Sequence, residues 1–155
     1  MRNLRWVVPG LLAATMGISA QADTLREAIA QDYSENLAEL FLHFHQNPEL
    51  SFREFETSKR LAAEIRALGY DVTEGVGQTG IVAVLENGPG PTVMLRADMD
   101  GLPVEEDSGL EYASKARQVD ITGIEQPVMH ACGHDVHITA CLLYTSPSPR
   151  DKRRY

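Results

Sequence analysis

The 155-residue sequence predicts an α/β fold, and three observations carry that prediction. Two stretches with helical spacing come first, short apolar strand-like runs broken by Gly/Pro turns follow, and a polar region leads to a further helical start. The overall composition, 43% hydrophobic and 23% charged, is that of an ordinary globular domain. It mixes three segments of different character, however, and these have to be separated before charge or cysteine content is used.

Residues 1–22 read as a secretory signal peptide. Arg2 and Arg5 supply a positive start, Trp6 to Ile18 is apolar, and Ala20-Gln21-Ala22 is a small-x-small cleavage signature. The apolar run falls short of the about 20 residues a bilayer span needs, and Pro9 and Gly10 interrupt it. The expectation is an exported protein, periplasmic or secreted, with no membrane association after cleavage. Residues 141–155 form the third segment. From Cys141 to Asp151 they resemble the translation of a transposase-type sequencing adapter rather than a protein element, and Lys152-Arg153-Arg154-Tyr155 follows. On that reading the tail is non-native and the gene continues past Ala140. The domain expectation is thus 1–22 signal peptide, 23–140 partial catalytic domain and 141–155 non-native tail.

Within residues 23–140 the first helix is expected over 24–45, with Leu25, Ile29, Tyr33, Leu37, Leu40 and Phe41 three and four residues apart. Asn47-Pro48 ends it, because proline pushes its predecessor out of the helical region. Ser51-Phe52-Arg53-Glu54 has the capping-box pattern and should open a second helix with a stripe of Leu61, Ile65 and Leu68. Gly69 is the expected left-handed residue after it. Tyr70 to Glu74 is a short strand before the turn Gly75–Gly80. Ile81 to Leu85 and Thr92 to Leu95 read as apolar strands of a largely buried central sheet, joined through Asn87-Gly88-Pro89-Gly90-Pro91. Residues 104–128 read as a polar excursion, and a third helix is expected from Asp135 onward.

Charge and cysteine content exclude several function classes. Setting aside the two end segments leaves 8 basic and 21 acidic residues over 23–140, a net charge of −13 against −8 for the whole chain. Such a field repels nucleic acid and anionic membrane surfaces. Without Cys141, Cys132 has no disulfide partner, and its flanking histidines make metal binding the more attractive use of the thiol.

The informative cluster is His130, Cys132, His134, Asp135 and His137. Thiolate and neutral imidazole are preferred ligands of zinc and similar divalent ions. Gly133 permits the tight backbone that two converging side chains need, and Asp135 could hold a ligand imidazole in the required tautomer. The spacing alone leaves open a His-rich surface loop with an inert cysteine, and also a Cys nucleophile with a His base. Asp98-Met99-Asp100 follows an apolar run, where paired carboxylates can serve a metal or merely terminate a strand. His45-Gln46-Asn47-Pro48-Glu49-Leu50 is most simply a helix terminus, and Glu105-Glu106-Asp107 a solvated charge run.

In combination these segments are more specific. His45-x-x-Pro48-Glu49-Leu50, Arg96 to Pro103, and Met129 to Asp135 with His137 together resemble the amidohydrolase branch of the metallopeptidases related to aminoacylase. That branch includes hippurate hydrolases, indole-acetyl-amino-acid hydrolases and N-acyl-amino-acid amidohydrolases. Gly101 stands where the family often has alanine, a change that looks conservative in size.

The resemblance implies the amino-terminal part of an α/β catalytic domain whose parent has a second, smaller lid or dimerisation domain, absent here. It also implies two divalent metal ions (Zn, Mn, Co or Ni), with Cys132 and His134 as ligands. Asp98, Asp100, His130, Asp135 and His137 are candidates for the surrounding shell. The substrate implied is a small N-acyl amino acid, cleaved at its amide by metal-activated water, and the parent could be a homodimer. No catalytic residue is expected in this segment, because the family's general-base glutamate falls downstream of Ala140. The segment itself is therefore expected to be inactive. A dipeptidase of the same family and a non-catalytic periplasmic metal-binding module are the alternatives.

Overall fold

The computed structural model describes residues 25–86 and 88–145. The expected signal peptide and residues 146–155 of the expected tail lie outside them. The chain divides into two units, residues 1–38 and 39–155.

In the first unit, residues 25–32 are helical and Tyr33–Leu37 forms a π-helical turn. Of the expected apolar stripe, Leu37 is buried, whereas Leu25, Ile29 and Tyr33 are exposed. Helical spacing establishes that side chains share a face, and burial needs a partner that spacing does not supply.

The second unit holds the packed core. Helix α1 (Ala38–Gln46) belongs to it but for its first residue, followed by α2 (Phe55–Ala67), strands β1 (Asp71–Val76), β2 (Gly80–Val84), β3 (Arg117–Val119) and β4 (Glu125–Pro127), and helix α3 (His134–Thr145). Leu40 and Phe44 of α1, Leu61 of α2, and Ile138 and Leu142 of α3 form the buried cluster. Ile81, Ala97 and Met99 are among the partly buried side chains packed against it. Each fully buried side chain of this kind is worth about 1.5–3 kcal/mol. Leu142 lies beyond Ala140, so the helix and its packing continue into the segment set apart in the sequence.

Helix α2 starts later than the sequence suggested, and its cap is different. The capping box does not form: Ser51 and Phe52 are in a turn, Phe52 has φ 63°, and Glu54 makes no side-chain cap bond. Instead the carboxylate of Glu49 accepts the free N–H groups of Glu56 (3.3 Å) and Thr57 (2.7 Å). A carboxylate at a helix amino terminus both satisfies these donors and faces the positive end of the helix dipole. Glu54 is buried and accepts the Thr79 hydroxyl at 2.7 Å, tying α2 to the turn before β2. The carboxyl end of α2 follows expectation. Gly69 takes φ 91°, its N–H reaches the Arg66 carbonyl, and the Tyr70 N–H reaches that of Ile65, which is a Schellman ending.

The sheet is smaller than predicted. β1 and β2 pair antiparallel, and so do β3 and β4, as two separate two-stranded sheets. The Gly75–Gly80 turn is as expected, with Gly75, Gly77 and Gln78 at positive φ. Residues 92–95 form no strand and pair with nothing among the described residues, and Val93 and Met94 are more than four-fifths exposed. An apolar run becomes a strand only when a neighbour accepts its backbone groups. Conversely, the polar excursion hides the β3–β4 hairpin. Asp120 stabilises its turn by accepting the Thr122 hydroxyl and the N–H groups of Ile124 and Thr122, which hold its carboxyl down at about 2.

Three sequence-distant segments meet at Gly101-Leu102. The Gly101 N–H donates to the Glu49 carbonyl at 2.6 Å, and Leu102 exchanges backbone bonds of 2.8 and 3.1 Å with Met129. Leu50–Gly101 is a parallel bridge and Leu102–Met129 an antiparallel one. A Cβ at Gly101 would stand 2.8 Å from Val128 Cγ1, 3.0 Å from Pro48 Cβ and 3.3 Å from the Met129 carbonyl oxygen. Alanine is therefore not conservative in this packing, contrary to the sequence expectation: β-branched Val128 has little rotamer freedom with which to retreat. In a protein carrying this segment, Gly101→Ala is expected to lower stability by about 1–3 kcal/mol. Its cost should be smaller in a Val128→Ala background, as measured by denaturant unfolding of the double-mutant cycle. Equal costs in both backgrounds would show that Val128 is not the obstacle.

Candidate metal-binding site

The Met129-to-Asp135 segment is a short loop closed by a tight turn. The Gly133 N–H donates to the His130 carbonyl at 3.0 Å, and Gly133 takes φ 74°, a conformation that L side chains rarely adopt. Helix α3 begins at the next residue, so His134 sits in its first turn, and the His137 N–H returns to the Gly133 carbonyl. The local backbone is thus dictated by the glycine, as the sequence suggested.

His134 is held by Asp100. Its Nδ1 lies 2.9 Å from the Asp100 backbone oxygen and 3.0 Å from the Asp100 carboxylate. A carbonyl oxygen only accepts, so Nδ1 carries the proton and donates. In the neutral imidazole the lone pair is then on Nε2, the atom available to a cation. Asp100 therefore performs the orienting role that the sequence suggested for Asp135. Both oxygens of Asp135 are engaged elsewhere: Oδ1 accepts the Val136 N–H at 2.8 Å, and Oδ2 lies 2.7 Å from His45 Nδ1.

The remaining candidates divide. Cys132 is an exposed free thiol, and Cys141 a half-buried one. His137 is exposed, with its ring centroid 5.6 Å from that of His134. His130 is buried, and neither ring nitrogen has a hydrogen-bond partner among the described residues. Burial pushes its pKa down, against the opposing charge of Asp135. Asp98 is exposed and pairs with Arg96 across solvent, where an ion pair contributes little. Among the described residues no group of three or more His, Cys, Asp and Glu side chains gathers closely enough to hold a metal ion. The donor types of Cys132 and His134 suit a divalent metal, and they amount to half of the four ligands or so of a closed site.

Sequence reasoning missed a second cluster beside this loop. His45 lies between two buried carboxylates, with Nδ1 at 2.7 Å from Asp135 and Nε2 at 3.2 Å from Glu106. The side chains of Glu106 and Asp135 are only 2% and 4% exposed, and that of His45 13%. Glu106 also accepts the Ser108 hydroxyl at 2.5 Å and the Ser114 N–H at 2.6 Å, so it is no member of a solvated run. The rings of Phe41 and Tyr112 flank the imidazole. No local signal marks this cluster, because its members lie 61 and 90 residues apart in sequence.

Burial alone would lower the His45 pKa, but the hydrogen bonds and charges of Asp135 and Glu106 outweigh it, and the value is raised. For Glu106, burial is likewise outweighed, here by the Ser108, Ser114 and His45 hydrogen bonds, and its value is lowered.

Known proteins resemble the chain in the same region. Residues 94–146 match the model of peptidase family M20/M25/M40. Thermostable carboxypeptidase 2 of Saccharolobus solfataricus is 51% identical over 63% of the chain and 23% of its own length. Hippurate hydrolase of Campylobacter jejuni is 46% identical over 64% of the chain and 24% of its own length. The chain thus spans about a quarter of the length of either relative. The crystal structure of the Bacillus subtilis YXEP protein, a dinuclear metal-binding peptidase of the M20 family, superposes with a TM-score of 0.65. It is 29% identical, over 80% of this chain and 32% of that one. The α/β architecture is therefore similar to that of part of an M20 catalytic domain.

The His45 cluster predicts a pH window for stability. His45, raised above its ordinary 6.5, contributes fully below 6.5, and the contribution is lost as pH rises through the higher folded value. Glu106, lowered from 4.5, contributes above 4.5, and its share is lost as pH falls through the lower folded value. Denaturant midpoints should therefore be highest between the two and fall on either side. Glu106→Ala, which strips the imidazole of one buried partner, should cost roughly 3 kcal/mol and make the acid edge shallower. A midpoint in Glu106→Ala equal to that of the unsubstituted protein would contradict the geometry.

Proposed function

Because residues 94–146 match the model of peptidase family M20/M25/M40, we propose that this chain is the amino-terminal part of a metal-dependent amidohydrolase acting on N-acyl amino acids. The observation that carries the reading is the hold of Asp100 on Nδ1 of His134, which leaves Nε2 for a cation in the loop that also carries the exposed Cys132 thiol. A carboxylate or carbonyl behind a histidine is the usual partner of a metal-ligating imidazole. The proposed ligands in this chain are Cys132 and His134. Asp98, His130 and His137 are proposed for their surroundings, and the remaining ligands and the general-base glutamate are proposed to come from the rest of a longer protein.

When bound, the metal ions supply Lewis acidity and lower the pKa of a coordinated water toward about 7. The part played by this chain is positional. Asp100 orients His134, and the Gly133 turn sets Cys132 and His134 two residues apart on one bend. Hippurate hydrolase among the relatives supports an acyl-amino-acid substrate, and the carboxypeptidase supports peptide substrates as the second reading. The exposed, unpaired run at 92–95 agrees with a larger sheet completed by further strands. We also propose export, on the amino-terminal sequence pattern of residues 1–22.

Cys132→Ala and His134→Ala in the full-length protein should each lower bound Zn, Mn, Co or Ni measured by elemental analysis, and abolish hydrolysis of hippurate. Chelators should inhibit the unsubstituted enzyme. Unchanged metal content in both variants would overturn the ligand assignment, and inhibition by alkylation but not by chelation would favour a thiol enzyme. Residues 1–155 alone should hydrolyse neither hippurate nor a dipeptide.

A further inference from the structure

The five residues 130–134, which carry Cys132 and His134, are clamped at both flanks. Upstream, Met129 is fixed by its two backbone bonds to Leu102. Downstream, Asp135 is fixed by His45, 90 residues away in sequence, at 2.7 Å. The second ring nitrogen of His45 is held by Glu106, which is itself anchored by the Ser108 hydroxyl and the Ser114 N–H. The imidazole cannot turn freely, since both nitrogens are engaged and the Phe41 and Tyr112 rings stand beside it. A buried ion pair is a poor source of net stability, because desolvation offsets most of the attraction. What this one does supply is geometric: it ties the first turn of α3 to α1 at Asp135, one residue after His134.

We propose that His45 is a positioning residue for the Cys132–His134 metal-binding loop, acting through Asp135 with Glu106 as its support. It touches neither substrate nor metal. This rests on the reading of Cys132 and His134 as ligands. Loss of the clamp frees the downstream end of the loop while Asp100 still holds His134 Nδ1, so the site loosens rather than disappears. A buried partner of this kind behind metal ligands typically changes affinity by about 10- to 100-fold.

The test is Zn²⁺ titration of the metal-free full-length protein by calorimetry. His45→Gln and Asp135→Asn should each weaken Zn²⁺ binding by about 10-fold or more, and the double variant should be no weaker than the worse single one, because both remove the same contact. In the Zn²⁺-loaded variants, kcat for hippurate should fall with KM nearly unchanged. A His45→Gln protein that melts earlier yet binds Zn²⁺ within twofold of the unsubstituted protein would overturn the proposal and leave the cluster a purely structural one. A second measurement needs no variant: Zn²⁺ added to the metal-free unsubstituted protein should shift the His45 ring signals in histidine-selective ¹⁵N NMR, and unchanged signals would also overturn it. If Cys132→Ala and His134→Ala keep full Zn²⁺ affinity, the ligand reading fails and the positioning role with it. If those two lose affinity and His45→Gln does not, the positioning role alone fails.

Discussion

The close approach of backbone at Gly101 is the constraint on which the rest of the second unit depends. Gly101 and Leu102 carry hydrogen bonds to Glu49 on one side and Met129 on the other, with no space between for a side chain. That stitch brings together the end of α1, the segment after residues 92–95, and the loop before α3. Asp100 is delivered by the same contact to the position from which it grips His134. A chain that could not close at Gly101 would lose this register, and the proposed ligands would lose their support.

Around this stitch the apolar and polar forces divide their work. The apolar cluster of Leu40, Phe44, Leu61, Ile138 and Leu142 holds three helices together without specifying their relative rotation closely. Directional groups supply that. Glu49 caps α2, Glu54 ties α2 to the turn before β2, and the His45–Glu106–Asp135 cluster joins α1, the loop at 105–114 and α3. The carboxylates in these roles are drawn from a chain whose charge pattern reads as a solvated acidic face. They tolerate burial because each is partnered: Glu49 accepts two N–H groups, Glu54 the Thr79 hydroxyl, and Glu106 and Asp135 face His45, which offsets the cost of leaving water.

The histidines show how environment separates identical side chains. His134 is fixed in one tautomer by a carbonyl acceptor, His45 is held between two carboxylates, and His130 is buried against titration. Three of the histidines that stand within eight residues in the sequence thus have three different surroundings, His137 being exposed on the next turn.

Much of this was legible in the sequence. The end of α1 at Asn47-Pro48, the left-handed Gly69, the Gly75–Gly80 turn and the start of α3 all follow from local chemistry, since proline and glycine restrict or free φ wherever they stand. The Met129-to-Asp135 loop and its likeness to a metallopeptidase family are equally properties of order and spacing. Other features depend on what lies opposite. A carboxylate does not announce whether it will cap a helix, as Glu49 does in place of the expected Ser51 box, or be buried against His45, as Glu106 is. The apolar run at 92–95 pairs with nothing described, while the polar stretch at 117–127 folds into a hairpin. The sequence by itself determined the turns, the carboxyl ends of α1 and α2 and the candidate ligands. Only the tertiary structure decided which carboxylate serves which histidine, because that choice is made between residues up to 90 positions apart.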